Sequence, residues 1–337
     1  KHINKREVLM PLTGIESYSP LCTEPEDFDR FWNATSRAVA EVPPQPTLAR
    51  QESPAPGLHL DLLRFTSLGH KTISGYLLTH DVPEPRPLIV HTHGYNSQYD
   101  IMLNWARKGC HVCGIDVRGF GRSSGIPLAP KGWVLTGIEA PQTSILRGAV
   151  ADVWQTIAVA HKLLGWRVSR TTLTGFSFGG ALAIMAAAFD PHANLLVAGQ
   201  PTFGWHSERL RLSKGGSSAE IRHYLENNPD MATRAMETLS YFDTLHFATR
   251  VQKPTVIGAG LDDDVVPSRS VMGIASRLKS ARAELTLLPV AHSDDPRESL
   301  WAEFDREWLD MTVKGVPSVF GSEPRRIREI SEASRAA

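Results

Sequence analysis

From about residue 88 onward, short apolar runs of strand length alternate with longer segments whose apolar residues recur at helical spacing. Runs at 88–90, 112–117, 171–176, 195–198, 255–259 and 284–289 predict buried strands. Segments at about 100–108, 145–164 and 179–189 predict helices among them. Buried strands separated by helices of this length imply an α/β chain with a mainly parallel sheet covered on both faces. Two more strands are expected upstream, at 60–66 and 72–79, before a loop carrying Pro83, Pro85 and Pro87. Residues 1–50 read as an N-terminal arm with a helix beginning near Asp27-Phe28-Asp29-Arg30-Phe31-Trp32. Residues 42–56, rich in proline, read as an extended connector. Residues 321–337 read as a C-terminal tail, which leaves 51–320 as the body of the domain.

One interval breaks the alternation. Residues 201–250 lie between two strands and are too many for an ordinary connection. They predict a helical cap, with a helix at 219–226, standing over the carboxyl ends of the strands. Trp205 is expected in the wall of a pocket beneath it.

Composition narrows the classes. A chain of 337 residues, 42% hydrophobic, can bury a large core. Lys plus Arg and Asp plus Glu both total 36, so the formal net charge is zero and the footprint of a nucleic-acid binder is missing. No polybasic run and no apolar run of roughly 18 residues marks a membrane protein. The first ten residues are charged and carry no apolar core of a secretory signal. Cys22, Cys110 and Cys113 make no disulfide framework. Cys110 and Cys113 fall in a strand-like segment, where residues three apart point to opposite faces, so they read as buried small hydrophobes rather than a redox pair. A reducing cytosol is the expected compartment. His91 and His93 share one strand face but have no evident third ligand, so no metal is expected. The stretch from Asp116 to Ser124 lacks the glycine arrangement of a dinucleotide fingerprint, so no cofactor is expected either; it reads as a loop supporting the site by hydrogen bonds.

The chemistry begins at Gly175-Phe176-Ser177-Phe178-Gly179, a G-x-S-x-G between a predicted strand and a predicted helix. A serine held on a tight strand-to-helix turn projects its hydroxyl above the sheet, and flanking glycines let strand and helix pass closely. This is the nucleophile elbow of an α/β-hydrolase fold. A serine hydroxyl needs a positioned base to act as a nucleophile, and in that fold acid and base follow it in chain order. Asp262-Asp263-Asp264 lies just past one strand end and His292 past the next. Three carboxylates compete; Asp263, followed after two residues by Val266-Pro267, is the preferred one, with Asp262 and Asp264 as alternatives. The oxyanion of acyl transfer needs two backbone N–H donors, expected from Phe178 and from Tyr95 after His93-Gly94. The Tyr95 and Phe178 rings are expected to wall the substrate pocket and close its acyl side.

Together these segments resemble the acetyl xylan esterase and cephalosporin C deacetylase family of carbohydrate esterases. The matches run from Asp27-Phe28-Asp29-Arg30-Phe31-Trp32 through His93-Gly94-Tyr95-Asn96, Asp116-Val117-Arg118-Gly119, Gly132-Trp133-Val134, the elbow, and Thr238-Leu239-Ser240-Tyr241-Phe242-Asp243 to Gly260-Leu261 and Pro267. The resemblance implies a triad of Ser177, Asp263 and His292, an oxyanion hole from the Tyr95 and Phe178 N–H groups, deacetylation of small-molecule esters, and a cytoplasmic homo-oligomer. Phe178, Phe120 and Ser293 stand where the family tends to carry Gln, Gln and Glu. The two added aromatics make a more apolar acceptor, such as a terpenoid or polyketide ester, an alternative substrate. An acyltransferase or C–C bond hydrolase using the same triad is a second reading. A non-catalytic ligand receptor on the hydrolase fold is a third.

Overall fold

In a computed structural model the described residues are 5–15, 22–130, 132–294, 299–315 and 324–332. The strands are β1 (Lys5–Pro11), β2 (Thr47–Arg50), β3 (Leu58–Ser67), β4 (Lys71–His80), β5 (Arg86–Thr92), β6 (His111–Asp116), β7 (Val168–Phe176), β8 (Ala193–Gly199), β9 (Thr255–Gly260), β10 (Ala283–Leu288) and β11 (Arg325–Glu332). The helices are α1 (Phe28–Ala40), α2 (Leu103–Arg107), α3 (Ile145–Leu164), α4 (Phe178–Phe189), α5 (His206–Leu212), α6 (Gly216–Asn227), α7 (Pro229–Ser240), α8 (Thr244–Ala248), α9 (Ser268–Arg277) and α10 (Leu300–Lys314).

All the described strands join one sheet in the order β1-β11-β10-β9-β8-β7-β5-β6-β4-β3-β2. Its centre, from β11 across to β6, is parallel, while β1 and the β6-β4-β3-β2 side run antiparallel. Helices cover both faces. The larger core holds α1, α3, α4, α8 and α9, and the smaller core holds α2 and α10. Cys113 belongs to the larger core and Cys110 to the smaller, on opposite faces as strand geometry requires.

Local chemistry explains the elements that position the site. Ser144 caps α3 by accepting from the Leu146 N–H at 3.3 Å, and Gly165 ends it at φ 55°. Helix α3 is buried on nearly every side because α1 packs over it, with Trp32 fully buried against Trp154 at 5.7 Å between ring centres. The alanine-rich α4 lies close on β7 and β8.

Both ends of the chain differ from the sequence reading. The expected arm supplies β1, α1 and β2, and the expected tail supplies β11, so both are built into the sheet or its core. The physical cause is visible at Glu284. Its carboxylate is fully buried on β10 and pairs with Arg326 Nη2 at 2.6 Å and Arg328 Nε at 2.9 Å. An ion taken out of water at this depth requires partners, and β11 carries them. The cap interval 201–250 folds as α5 to α8, four helices where the sequence reading has one.

Candidate active site

Strand β7 ends at Phe176 and α4 begins at Phe178, so the chain reverses direction at Ser177. Ser177 takes φ 55° and ψ −112°, a conformation that costs a residue with a side chain about 1–3 kcal/mol. The glycines beside it are dictated by contact. A Cβ on Gly175 would lie 2.3 Å from the Gly179 carbonyl carbon, and one on Gly179 would lie 2.2 Å from the Thr92 carbonyl oxygen. Two bonds hold the turn: Ser177 N–H donates to Gly199 O at 2.9 Å, and Thr202 N–H donates to Ser177 O at 3.2 Å.

The loops after β9 and β10 bring up the acid and the imidazole. His292 donates its Nδ1–H to Asp263 Oδ2 at 2.6 Å, which leaves Nε2 as the acceptor. The other Asp263 oxygen accepts from the Val265 N–H at 2.8 Å and the Val266 N–H at 2.7 Å. Asp263 is buried; Asp262 and Asp264 are exposed, and Asp264 faces Lys214 at 3.5 Å. Gln200, which the sequence reading passes over, sits behind this loop at φ 45° and is fully buried. It donates from Nε2 to Val266 O and accepts the Gly260 N–H at Oε1. One side chain thus ties the end of β8 to both ends of the Asp263 loop.

Ser177, His292 and Tyr95 line one cavity of about 190 Å³. The Tyr95 hydroxyl donates to Glu220 Oε2 at 2.6 Å and accepts the Val134 N–H at 3.0 Å. Burial first, and the neighbouring Glu220 second, push the Tyr95 phenol well above its ordinary range. The Phe178 N–H opens α4 and has no carbonyl one turn earlier in the helix to bond.

Two rings expected in the pocket wall are elsewhere. The Phe178 side chain is fully buried and packs on Tyr95, Trp133 and Phe203, at 5.8, 5.1 and 5.8 Å between ring centres. Its backbone belongs to the elbow while its ring drops into the core. Trp205 takes φ 54° and its ring lies under Arg269 at 5.5 Å, outside the cavity. Phe120 is likewise drawn into the aromatic cluster, stacked on Trp133 at 4.9 Å. In place of Phe178 and Trp205, the interval 201–250 contributes Thr202, Arg209, Ser217 and Ser218 to the lining. The run Lys214-Gly215-Gly216-Ser217-Ser218 was the available signal for this wall.

A second cavity, about 390 Å³, adjoins the first and shares Gly94, Phe176 and His292 with it. Trp105 from α2 and Trp301, Phe304 and Trp308 from α10 line it. Asp305 stands in its wall, where burial pushes the carboxyl up to about 6 although Trp308 Nε1–H donates to it at 2.8 Å.

The neighbouring candidates are occupied by structural bonds. His91 Nε2 meets the Tyr76 hydroxyl at 2.6 Å, and His93 Nε2 accepts the Val117 N–H at 3.0 Å. Burial pushes His91 down to about 3, so it is neutral. Asp116 accepts from the Tyr99 and Arg122 N–H groups, each at 2.7 Å, which ties the loop after β5 to the loop after β6. Among the described residues no group of three His, Cys, Asp or Glu side chains could hold a metal ion, and no helix is long and apolar enough to cross a membrane.

The sheet order, the strained serine between β7 and α4, and the Asp–His pair after β9 and β10 define an α/β-hydrolase. The acetyl xylan esterase (AXE1) family profile matches residues 6–300, and the chain belongs to that family. It is 21% identical over 313 residues to the acetyl esterase Axe7A of Xylanibacter ruminicola, covering 89% of this chain and 70% of that protein. Two solved structures share its fold. The acetyl xylan esterase from Paenibacillus sp. R4 is 24% identical, with a TM-score of 0.78 over 89% of this chain and 99% of its own. Acetyl xylan esterase 1 from Thermoanaerobacterium sp. JW/SL YS485 is 22% identical, with a TM-score of 0.80 over 90% and 99%. The protein is a carboxylic-ester hydrolase of the serine-esterase type.

Proposed function

We propose that Ser177, His292 and Asp263 are the catalytic triad of this esterase and that its substrates are small-molecule esters with short acyl groups, acetyl esters first. The observation that carries the reading is the 2.6 Å bond from His292 to a buried Asp263, beside a cavity that Ser177 also lines. Ser177 Oγ attacks the ester carbonyl while His292 Nε2 takes its proton. Asp263 keeps the imidazole in the Nδ1–H tautomer and stabilises the imidazolium that forms. The Tyr95 and Phe178 N–H groups meet the oxyanion, each donor contributing about 3–4 kcal/mol of transition-state stabilisation. His292 returns the proton to the departing alcohol, and water releases the acyl group by the same steps. No residue in this sequence of events requires a metal or cofactor.

The aromatic cavity across His292 supports an apolar alcohol portion of the substrate. It also favours a second reading, in which a bound alcohol replaces water and the acyl group is transferred. The three cysteines are free thiols, which supports a reducing, cytoplasmic setting, and the family resemblance supports a homo-oligomer. Ser177→Ala tests the core of the proposal. Turnover of p-nitrophenyl acetate should fall by at least about 10³-fold with the near-ultraviolet circular dichroism unchanged. More than a few per cent of activity in the folded variant would remove Ser177 as nucleophile.

A further inference from the structure

Arg209 is the side chain that the triad leaves unexplained. It lies on α5, is fully buried, and lines the same cavity as Ser177 and His292. Among the residues lining that cavity it alone carries a fixed charge, and among the described residues no carboxylate forms an ion pair with it. Its Nη1 donates to Ser218 Oγ at 2.8 Å, Ser217 Oγ at 3.1 Å and Thr202 Oγ1 at 3.4 Å, its Nη2 meets His206 Nδ1 at 3.4 Å, and the guanidinium lies over the Phe203 ring at 4.6 Å, none of them a counter-charge. Its Nε is buried without a hydrogen-bond partner. Asp243, the acid whose field reaches it, is engaged elsewhere, accepting backbone N–H bonds from Trp205, His206 and Leu245. Burial lowers Arg209 to about 10, so it remains a cation at neutral pH.

A buried cation without a counter-charge is costly, and a protein keeps one where an anion completes it. The hydroxyls extend the effect. A serine oxygen that accepts from a guanidinium still has its own O–H to donate, turned away from the cation. Ser217 and Ser218 both line the cavity, so their donors are available to a ligand oxygen there. We propose that Arg209, with Ser217 and Ser218, recognises a carboxylate carried by the ester substrate, and that this enzyme selects acidic esters over neutral ones. The proposal rests on the esterase reading of Ser177.

The carboxylate can sit on the acyl part or on the alcohol, and two pairs of substrates separate these sources. Monomethyl glutarate against dimethyl glutarate, followed by methanol release, tests the acyl side. Acetoxyacetate against its methyl ester, followed by acetate release, tests the alcohol side. For the wild-type enzyme kcat/KM should favour the acid by about tenfold or more in one pair, the size of one charge-assisted contact. Arg209→Gln should bring that ratio to one or below. Arg209→Lys should keep part of it, and Ser218→Ala should reduce it by a few fold; these two variants carry the test if Arg209→Gln fails to fold. A wild-type preference for the neutral ester in both pairs, or a ratio unchanged in the folded variants, overturns the proposal. Loss of p-nitrophenyl acetate hydrolysis in the wild type would instead overturn the esterase reading, so the two failures are distinguishable.

Discussion

The two cavities that meet at His292 are built from the same strand ends and have opposite chemistry. The smaller, about 190 Å³, takes its far wall from residues 202–218 and presents hydroxyls and a buried cation. The larger, about 390 Å³, takes its wall from α2 and α10 and presents indole and phenyl rings. The sheet supplies the serine, the acid and the imidazole at the ends of β7, β9 and β10 whatever the surrounding loops contain. Polarity of the pocket is decided by segments far away in sequence, as expected for function carried on loops over a rigid scaffold. The aromatic surface expected from Phe178 and Trp205 comes instead from Trp105, Trp301, Phe304 and Trp308, in the cavity across His292.

The strongest way to break the comparison is to strike the partner of His292, the imidazole that both cavities share. Asp263→Asn should lower kcat for p-nitrophenyl acetate on the order of 10⁴-fold, because the amide leaves His292 in the wrong tautomer. Asp262→Asn and Asp264→Asn, exposed, should each change it by less than about threefold. A larger loss at either neighbour would move the acid. Next comes the smaller cavity, tested as the site of the acyl chain. An octanoyl ester should react at least about thirtyfold more slowly than acetyl in kcat/KM, the equivalent of roughly 2 kcal/mol of overpacking. An open cavity would instead show a rising series, each fitted methylene gaining about 0.8 kcal/mol.

The larger cavity sharpens the comparison on the alcohol side. Benzyl acetate should exceed ethyl acetate in kcat/KM by about tenfold, and Trp308→Leu should erase most of that margin while leaving the acyl-chain series unchanged. Equal loss across both series would mean that Trp308 supports only the fold. The smallest effect concerns Asp305. Its carboxyl is raised to about 6 when folded, above the roughly 3.9 of an unfolded aspartate, so its ionised form is disfavoured in the folded state. The wild type therefore gains stability as pH falls through about 6, where the folded state binds the proton first. Asp305→Asn should raise Tm by about 2 °C at pH 8, with the gain shrinking between about pH 6 and pH 4. A gain that grows on acidification would contradict this sign.

Much of the scaffold was legible because it is written locally. Helix α3 spans the expected 145–164, and the strands around it fall within a few residues of the expected runs, since each buries a short continuous apolar segment. The elbow was legible for the same reason, as two glycines, a serine and a change of hydrophobic period are all within reach of one another. The ends of the chain were not. β11 reads Arg325-Arg326-Ile327-Arg328-Glu329-Ile330, a charged segment that makes sense as a strand only opposite the buried Glu284. Gln200 and Arg209 were invisible for a related reason, as isolated polar residues acquire meaning from what surrounds them in space.

Sequence by itself determined the alternating strands and helices, the strained serine turn, and the order in which serine, acid and imidazole candidates follow one another. Each depends on residues close together, where backbone sterics and hydrophobic period leave few options. Tertiary structure decided which of three adjacent aspartates is buried, because Asp263 alone receives the Val265 and Val266 N–H groups and the imidazole together. It also decided that Phe178 gives its backbone to the elbow and its ring to the core. And it brought a cation from α5 against the cavity of Ser177, with no carboxylate among the described residues to pair it. Burial and partnership are sums over distant contacts, so neither can be read from a window of neighbouring residues.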